Sequence, residues 1–488
     1  MRLRDLLREI GEHDADGPLD VEVADVRHDS RAVERGDLFA AMRGGRTDGS
    51  RFAAEALRRG AVAVLSAGPR PEGVDGGTWV RVPDDRVAMA RAAAAVHAHP
   101  SREISVVGIT GTNGKTTTAF LLEGVLAAAG RRPGLLGTVA YRWSGHREEA
   151  TRTTPEATDL QRMLRRMVEA GCGSAVLEVS SHALSLRRVE ATAFRVAVFT
   201  NLSRDHLDYH RDLEDYFDAK ALLFEMLGPE ATAVINADDP RGLALRDRTR
   251  ARVLTYGTGD GCDVRPRAWT STFDGTRALL TTPAGEMNVQ TPLPGLPNLQ
   301  NVMAAVTAGI ALGCGTEALV EGIRGTATVP GRFERIRNDR GFEVIVDYAH
   351  SDDALRNLLA TVRSLSPRRV IAVFGCGGDR DREKRALMGR AAGIGSDVAI
   401  LTSDNPRGED PAAIAAAAEA GLKAARAEVE YEVELDRREA IRRALSLARP
   451  GDAVVIAGKG HERDQIIGDR VLPFDDREVC REFLETGG

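Results

Sequence analysis

The sequence predicts an α/β protein in three units: a central, mostly parallel sheet of the P-loop type, an α/β unit before it, and a second doubly wound sheet after it. Three observations carry this reading. The chain has 488 residues, room for about three domains of ordinary size. An apolar run, Ile104 to Val107, feeds a glycine-bearing turn that opens an apolar helical stretch, Ala119 to Leu126. Strand-like and helix-like segments alternate on both sides of residue 329, the rhythm of parallel sheets covered by helices.

Residues 1–99 form the first unit. Short β-like runs (Val21 to Val26, Ala61 to Leu65, Thr78 to Val82) alternate with helix-like ones (Phe52 to Arg59, Asp84 to His97). Two polar loops, Asp29-Ser30-Arg31 and Met42 to Gly49, suit either a polar ligand or plain turn chemistry. Pro100-Ser101-Arg102 reads as a linker.

Residues 100–328 form the second unit, organised around Gly111-Thr112-Asn113-Gly114-Lys115-Thr116-Thr117. Backbone N–H groups of such a turn and of the helix it opens lack internal acceptors and converge, so a polyphosphate can satisfy them. Lys115 then reaches the outer phosphates, and the Thr116 hydroxyl meets the Mg²⁺ that accompanies them. The match is a variant, since Ile109 stands where the strict pattern has glycine. Later strand-like runs at 174–179, 196–200 and 232–235 end in polar residues: Glu178 with Ser180-Ser181-His182, Thr200 to Asp208 with His206, and Asn236 to Asp239. Ligands of open α/β sheets bind beyond the carboxyl ends of strands, so these clusters are expected to face the nucleotide. Segment 251–292 reads as a peripheral β-hairpin region. Asn298 and Asn301 lead into an Ala-rich helix at 302–312, where capping also explains Asn298.

Residues 329–488 form the third unit, with strands at 343–346, 370–374, 398–401, 430–434 and 453–456 and helices between them. Its strands lead to Asp347-Tyr348-Ala349-His350, Gly375 to Arg382, Asp404-Asn405-Pro406-Arg407 and Gly458-Lys459-Gly460-His461-Glu462. The third of these could grip a zwitterion with its acid, amide and guanidinium, or be an ordinary β-turn.

The balance of the chain is 43% hydrophobic and 28% charged, with a formal net charge of −6. That charge argues against a nucleic-acid or membrane-surface binder. Five scattered cysteines without C-x-x-C spacing signal neither a disulfide frame nor a zinc site. No signal peptide or membrane-spanning run is visible, so a cytoplasmic protein is expected.

Taken together in this order, these motifs resemble the ATP-dependent Mur ligases of peptidoglycan synthesis. Within them they resemble the MurE branch, which adds 2,6-diaminopimelate to UDP-N-acetylmuramoyl-L-alanyl-D-glutamate. The likeness also takes in Thr153-Thr154-Pro155, Lys220 and Gly331-Arg332-Phe333-Glu334. It implies an N-terminal UDP-sugar domain, a central ATPase and a C-terminal Rossmann-like domain for the amino acid, acting as a monomer. ATP activates the D-Glu γ-carboxylate as an acyl phosphate, which the diaminopimelate amine then attacks.

The resemblance assigns Thr116, Glu178, His206 and Lys220 to the magnesium sites, with Lys115, Lys220, His206 and Glu178 catalytic. From its neighbours alone Lys220 reads as a solvated helix lysine; the resemblance makes it a CO₂-derived carbamate. Ser30, Thr153, Thr154, Ser180 and Arg188 match contacts to the UDP-linked substrate. Asn301, Arg332 and Asp347 match nucleotide contacts beside Gly111 to Thr117. Arg380, Asp404, Asn405, Pro406, Arg407, Gly458 and Glu462 match the diaminopimelate pocket, where Arg407 pairs with a distal carboxylate that lysine lacks. One departure is Leu186, where many relatives carry Gln. A lysine-adding relative, folylpolyglutamate synthetase and a regulator without catalysis fit the residues less well.

Overall fold

The computed structural model describes residues 1–44, 47–425 and 429–486. Three α/β units follow one another, each built on its own sheet. The mixed α/β fold with mostly parallel sheets is as the sequence predicts.

In the first unit the strands run in the order Asp14–Asp16, Thr78–Arg81, Ala63–Ser66, Leu38–Ala40, Val26–Arg27. All pairs are parallel except the edge pair Asp14–Asp16 with Thr78–Arg81. Helices Leu3–Ile10 and Asp85–Val96 cover one face through Leu3, Leu6, Ala88 and Ala92. The expected strand over residues 21–26 shrinks to Val26–Arg27, because most of that run bonds to the first helix and neighbouring loops instead. Gly45 and Arg46 of the polar loop lie outside the described residues. Pro100–Arg102 is a 3-10 turn with Pro100 and Ser101 buried rather than an open linker.

The central sheet has eight strands, in the order Arg252–Tyr256, Thr232–Asn236, Phe194–Phe199, Ser105–Thr110, Ser174–Glu178, Pro133–Leu136, Ala140–Trp143, His146–Glu149. The first six are parallel and the last two antiparallel. Alternation along Ser105–Thr110 sends Val107 and Ile109 into one core and Val106 into the other. Helices Lys115–Ala128 and Leu296–Ala311 close the first face, and Ala157–Glu169 and Leu213–Glu225 the second. Register pairs Glu178 with Ile109 and Phe199 with Thr110, so the polar strand ends emerge side by side.

Two expectations are revised here. Residues 252–256 are the edge strand of this sheet, and only 265–291 form a separate antiparallel meander. The Ala-rich helix begins at Leu296, with Pro297 in its first turn, where the missing N–H costs nothing.

The third sheet runs Glu334–Arg335, Glu343–Asp347, Ala453–Ala457, Val370–Cys376, Val398–Ser403, Glu430–Val433, parallel but for the first pair. The chain steps outward from Glu343–Asp347 with helices Asp352–Ser364, Glu383–Gly395 and Pro411–Ala425 on one face, then returns to Ala453–Ala457 through Arg437–Leu447 on the other. Right-handed crossovers in opposite directions put helices on opposite faces and open a crevice at the strand ends between them. A hairpin, Asp464–Ile467 with Arg470–Pro473, follows the last of these strands.

Candidate active site

The glycine turn sits between strand Ser105–Thr110 and helix Lys115–Ala128, and its two positive-φ glycines are sterically required. A Cβ on Gly111 (φ +146°) would stand 1.9 Å from Thr200 Oγ1, and one on Gly114 (φ +86°) 2.4 Å from Asn301 Oδ1. Lys115 folds back over the turn, its Nζ donating to the Gly111 and Thr112 carbonyls at 2.9 and 2.8 Å.

Glu178, 1% exposed at the end of its strand, is the hub beside this turn. It accepts from Thr116 Oγ1 at 2.8 Å, from Thr138 N at 2.8 Å and from Thr138 Oγ1 at 3.1 Å. Thr138 also meets Thr153 at 3.1 Å. Thr154 donates to the Glu178 carbonyl at 2.8 Å, and Arg188 Nη1 donates to the Thr154 carbonyl at 3.3 Å. Thr153, Thr154, Ser180 and Arg188 thus form one strip running away from the glycine turn.

His206 adopts φ +55°, with its N–H bonded to Asp205 Oδ1 at 2.9 Å. Burial pulls its pKa down to about 4 against the opposing pull of Asp205, which leaves a neutral imidazole at physiological pH.

Lys220 is 1% exposed, contrary to the solvated lysine its neighbours suggest. Its helix, Leu213–Glu225, packs that face onto the sheet. Nζ donates to the Gly111 carbonyl at 2.9 Å and lies 4.2 Å from the Tyr216 ring centroid. Burial, reinforced by the positive charge of Lys115, drives its pKa well below the usual lysine value.

The third unit closes over this turn. Arg332 Nη2 donates to Thr116 Oγ1 at 3.2 Å, Asn113 Nδ2 to Asp353 Oδ2 at 3.1 Å, and Arg204 Nη2 to Glu383 at 3.0 Å. Asp347 is fixed by the Phe333 and Ala349 N–H groups at 2.6 and 2.8 Å.

The result is a cavity of about 610 Å³ lined by Thr112 to Thr117, Thr153, Glu178, Ser180, His206, Asn301, Arg332 and Asp347. A second, of about 410 Å³, is lined by Arg380, Asp404, Asn405, Arg407, Gly458 and Glu462. Asp205, His206, Tyr348 and His350 border both. Ser30 borders neither: it is buried in a 3-10 turn of the first unit capped by Asp29. Pro406 stiffens the turn from behind, its carbonyl close against Gly378, where a Cβ would lie 1.8 Å away.

Residues 22–99, 109–309 and 331–460 match three family models, described as "Mur ligase family, catalytic domain", "Mur ligase middle domain" and "Mur ligase, glutamate ligase domain". A UDP-N-acetylmuramoyl-L-alanyl-D-glutamate--2,6-diaminopimelate ligase of Geobacter metallireducens is 49% identical over 507 residues, covering 99% of both chains. The chain belongs to the Mur ligase family. A second ligase of the same name, from Solibacter usitatus, is 48% identical over 96% of this chain and 94% of its own. A solved structure of a ligase so named superposes with a TM-score of 0.71 at 34% identity, over 100% of this chain and 99% of that one.

Several residues of this Mur ligase that build the site carry no signal in the sequence. Thr138 follows a short strand, Pro133–Leu136, hidden among glycines, and Asp353 lies on a helix that looks merely polar at its start. Leu186 contributes its backbone: the carbonyl accepts from Arg86 of the first unit at 3.3 Å.

Proposed function

We propose that this Mur ligase joins 2,6-diaminopimelate to the D-Glu γ-carboxylate of UDP-N-acetylmuramoyl-L-alanyl-D-glutamate at the expense of ATP, in peptidoglycan synthesis. The observation that carries the reading is the pair of cavities sharing Asp205, His206, Tyr348 and His350. One has a turn suited to phosphate, the other a set suited to a zwitterion, and they share these four residues as a common wall. The first unit then serves the UDP-sugar, the second ATP and the third the amino acid. All five cysteines are free and buried, in keeping with a reducing cytoplasm. Among the described residues no helix is long and apolar enough to cross a membrane.

The central difficulty is bringing an anionic carboxylate to an anionic triphosphate. Lys115, already folded onto the turn, neutralises the outer phosphates, and Arg332 adds a second cation when the third unit closes. The carboxylate oxygen attacks the γ-phosphorus, the bond to the β-phosphate oxygen breaks, and ADP leaves. The diaminopimelate amine nitrogen then attacks the acyl carbon, and phosphate departs carrying the former carboxylate oxygen. Arg407 pairs with the distal carboxylate while Asp404 and Glu462 face the distal ammonium, which aims the other amine at the acyl carbon.

The donor set fits magnesium. Glu178 and the Thr116 hydroxyl are hard oxygen donors, His206 is a neutral imidazole, and among the described residues no group of three His, Cys, Asp or Glu forms a closed cage. An open set suits an ion that takes phosphate and water oxygens as well. Bound magnesium would supply positive charge at the phosphates. Lys220 fits carbamate formation: burial favours the neutral amine, the form that is nucleophilic toward CO₂, and the resulting anion is an oxygen donor beside the same turn. The reading is tested by phosphate release from ATP and the UDP-linked dipeptide with diaminopimelate or with lysine. Release with diaminopimelate is expected; release with lysine alone, or with neither, contradicts it.

A further inference from the structure

Lys459 stands inside the run Gly458 to Glu462, yet it borders neither cavity and is 0% exposed. A buried ammonium needs a reason. Its Nζ lies 3.1 Å from Asn405 Oδ1 and 3.0 Å from Glu462 Oε2. Asn405 Oδ1 also accepts from Ile466 N at 3.0 Å, and Asn405 Nδ2 donates to Glu462 Oε2 at 3.0 Å. Arg437, another buried cation of this unit, is already matched by Asp476 at 2.8 Å.

We propose that Lys459 is a positioning residue that sets where the Glu462 carboxylate stands in the amino-acid pocket; this rests on the pocket reading above. An ammonium can only donate, and so can the Ile466 N–H. Both point at one end of the Asn405 amide, so that end is the oxygen. The NH₂ end is thereby turned to Glu462, with one hydrogen to spare for a ligand. Glu462 holds Lys459 and Asn405 through Oε2 and also meets the Tyr348 side chain, so its carboxylate faces the second cavity from a fixed position. Without Lys459 the Ile466 N–H would still hold the amide oxygen, but Glu462 would lose the cation that fixes its Oε2. The Glu462 carboxylate, on the same cavity as Arg407, would then be drawn to that guanidinium and compete with the substrate carboxylate for it.

The neighbouring hairpin holds the rest of the turn from the same side. Gln465 Nε2 donates to the Asp404 carbonyl at 2.8 Å, Arg407 N to the Ile466 carbonyl at 3.1 Å, and Gly468 N to the Arg407 carbonyl at 2.7 Å. The backbone of the Asp404–Arg407 turn is therefore fixed independently of Lys459. What Lys459 governs is where the Glu462 carboxylate stands against the ligand.

The test is steady-state kinetics of Lys459→Met in the full-length enzyme. KM for diaminopimelate is expected to rise about 10- to 100-fold, the loss of charge-assisted hydrogen bonds. KM for ATP and for the UDP-linked dipeptide should stay within about twofold, since neither touches this network. In a Glu462→Gln background the same substitution should add less than about threefold, because Lys459 acts through Glu462. An unchanged KM for diaminopimelate, or effects that multiply in full, would overturn the proposal. Should Lys459→Met not fold, Lys459→Gln, which keeps a side-chain N–H donor and removes the charge, is measured in its place; a rise in KM for diaminopimelate is again expected, and an unchanged KM is the contrary result. A wild-type enzyme that turns over lysine but not diaminopimelate sinks the pocket reading itself. One that uses diaminopimelate while Lys459→Met is silent sinks only this inference.

Discussion

Lys220 shows how far a residue's chemistry depends on where the fold puts it. On an exposed helix face its amine would be an ordinary cation; at 1% exposure, with one carbonyl partner and Lys115 nearby, its charged form is disfavoured. Lys220→Ala is expected to abolish ligation, and a short carboxylate such as acetate, added to the assay, should restore part of it. Full activity in the variant without additive would refute the carbamate role. Arg407 carries the second residue-scale prediction. Its guanidinium is oriented by the Gly378 carbonyl at 2.8 Å on a backbone at φ +51°. Arg407→Lys should lower kcat/KM for diaminopimelate about 10- to 100-fold, because an ammonium cannot reproduce the planar fork; a change within about twofold would show that the fork is not used. Neither the burial of Lys220 nor the pairing of Lys459 was legible in the sequence. The first depends on which helix face meets the sheet, and the second on Asn405, which lies 54 positions away in the sequence.

At the level of single elements the glycine turn is the most demanding. Gly114→Ala places a methyl against Asn301 at a backbone angle that side chains rarely adopt. Nucleotide affinity should fall sharply while the fold persists, which titration with an ATP analogue and circular dichroism together would check; unchanged affinity would show that the turn does not hold phosphate. This element could be read from the sequence because strand, turn and helix are contiguous and each has a local signal. The antiparallel strands Ala140–Trp143 and His146–Glu149 could not, since the outer one is polar throughout and shows no apolar alternation. The start of the helix Leu296–Ala311 was also hidden, because Pro297 looks like a stop and acts as a first-turn residue.

On the scale of the whole molecule, contacts between units decide stability and catalysis. Asp25 of the first unit bonds His97 at 3.0 Å and Arg162 of the second at 2.9 Å. Burial raises its pKa, but these two partners outweigh burial and hold the carboxyl well below the ordinary carboxylate range. A pKa that is lower in the folded chain stabilises it at pH values above the unfolded carboxyl's pKa, and that contribution is lost as pH falls toward the depressed value. The Tm difference between wild type and Asp25→Asn should therefore be large near pH 6 and shrink toward pH 3; a constant difference would contradict the linkage. Closure of the third unit brings Arg332 onto Thr116. Arg332→Ala should lower kcat about 100-fold while leaving nucleotide binding to the turn within a few-fold. The order of the three units was visible from their alternating segments, whereas the closure contacts were not, because no local pattern marks a surface that another unit will cover.

In the proposed reaction a carboxylate oxygen of the peptide attacks ATP in one cavity and is expelled as phosphate by an amine from the other. Labelling the D-Glu γ-carboxylate of the UDP-linked dipeptide with ¹⁸O and weighing the phosphate released during turnover tests it most directly. One ¹⁸O per phosphate, with release dependent on diaminopimelate, is the predicted result. Unlabelled phosphate would mean that water, not the peptide carboxylate, attacks the nucleotide, and would contradict the account.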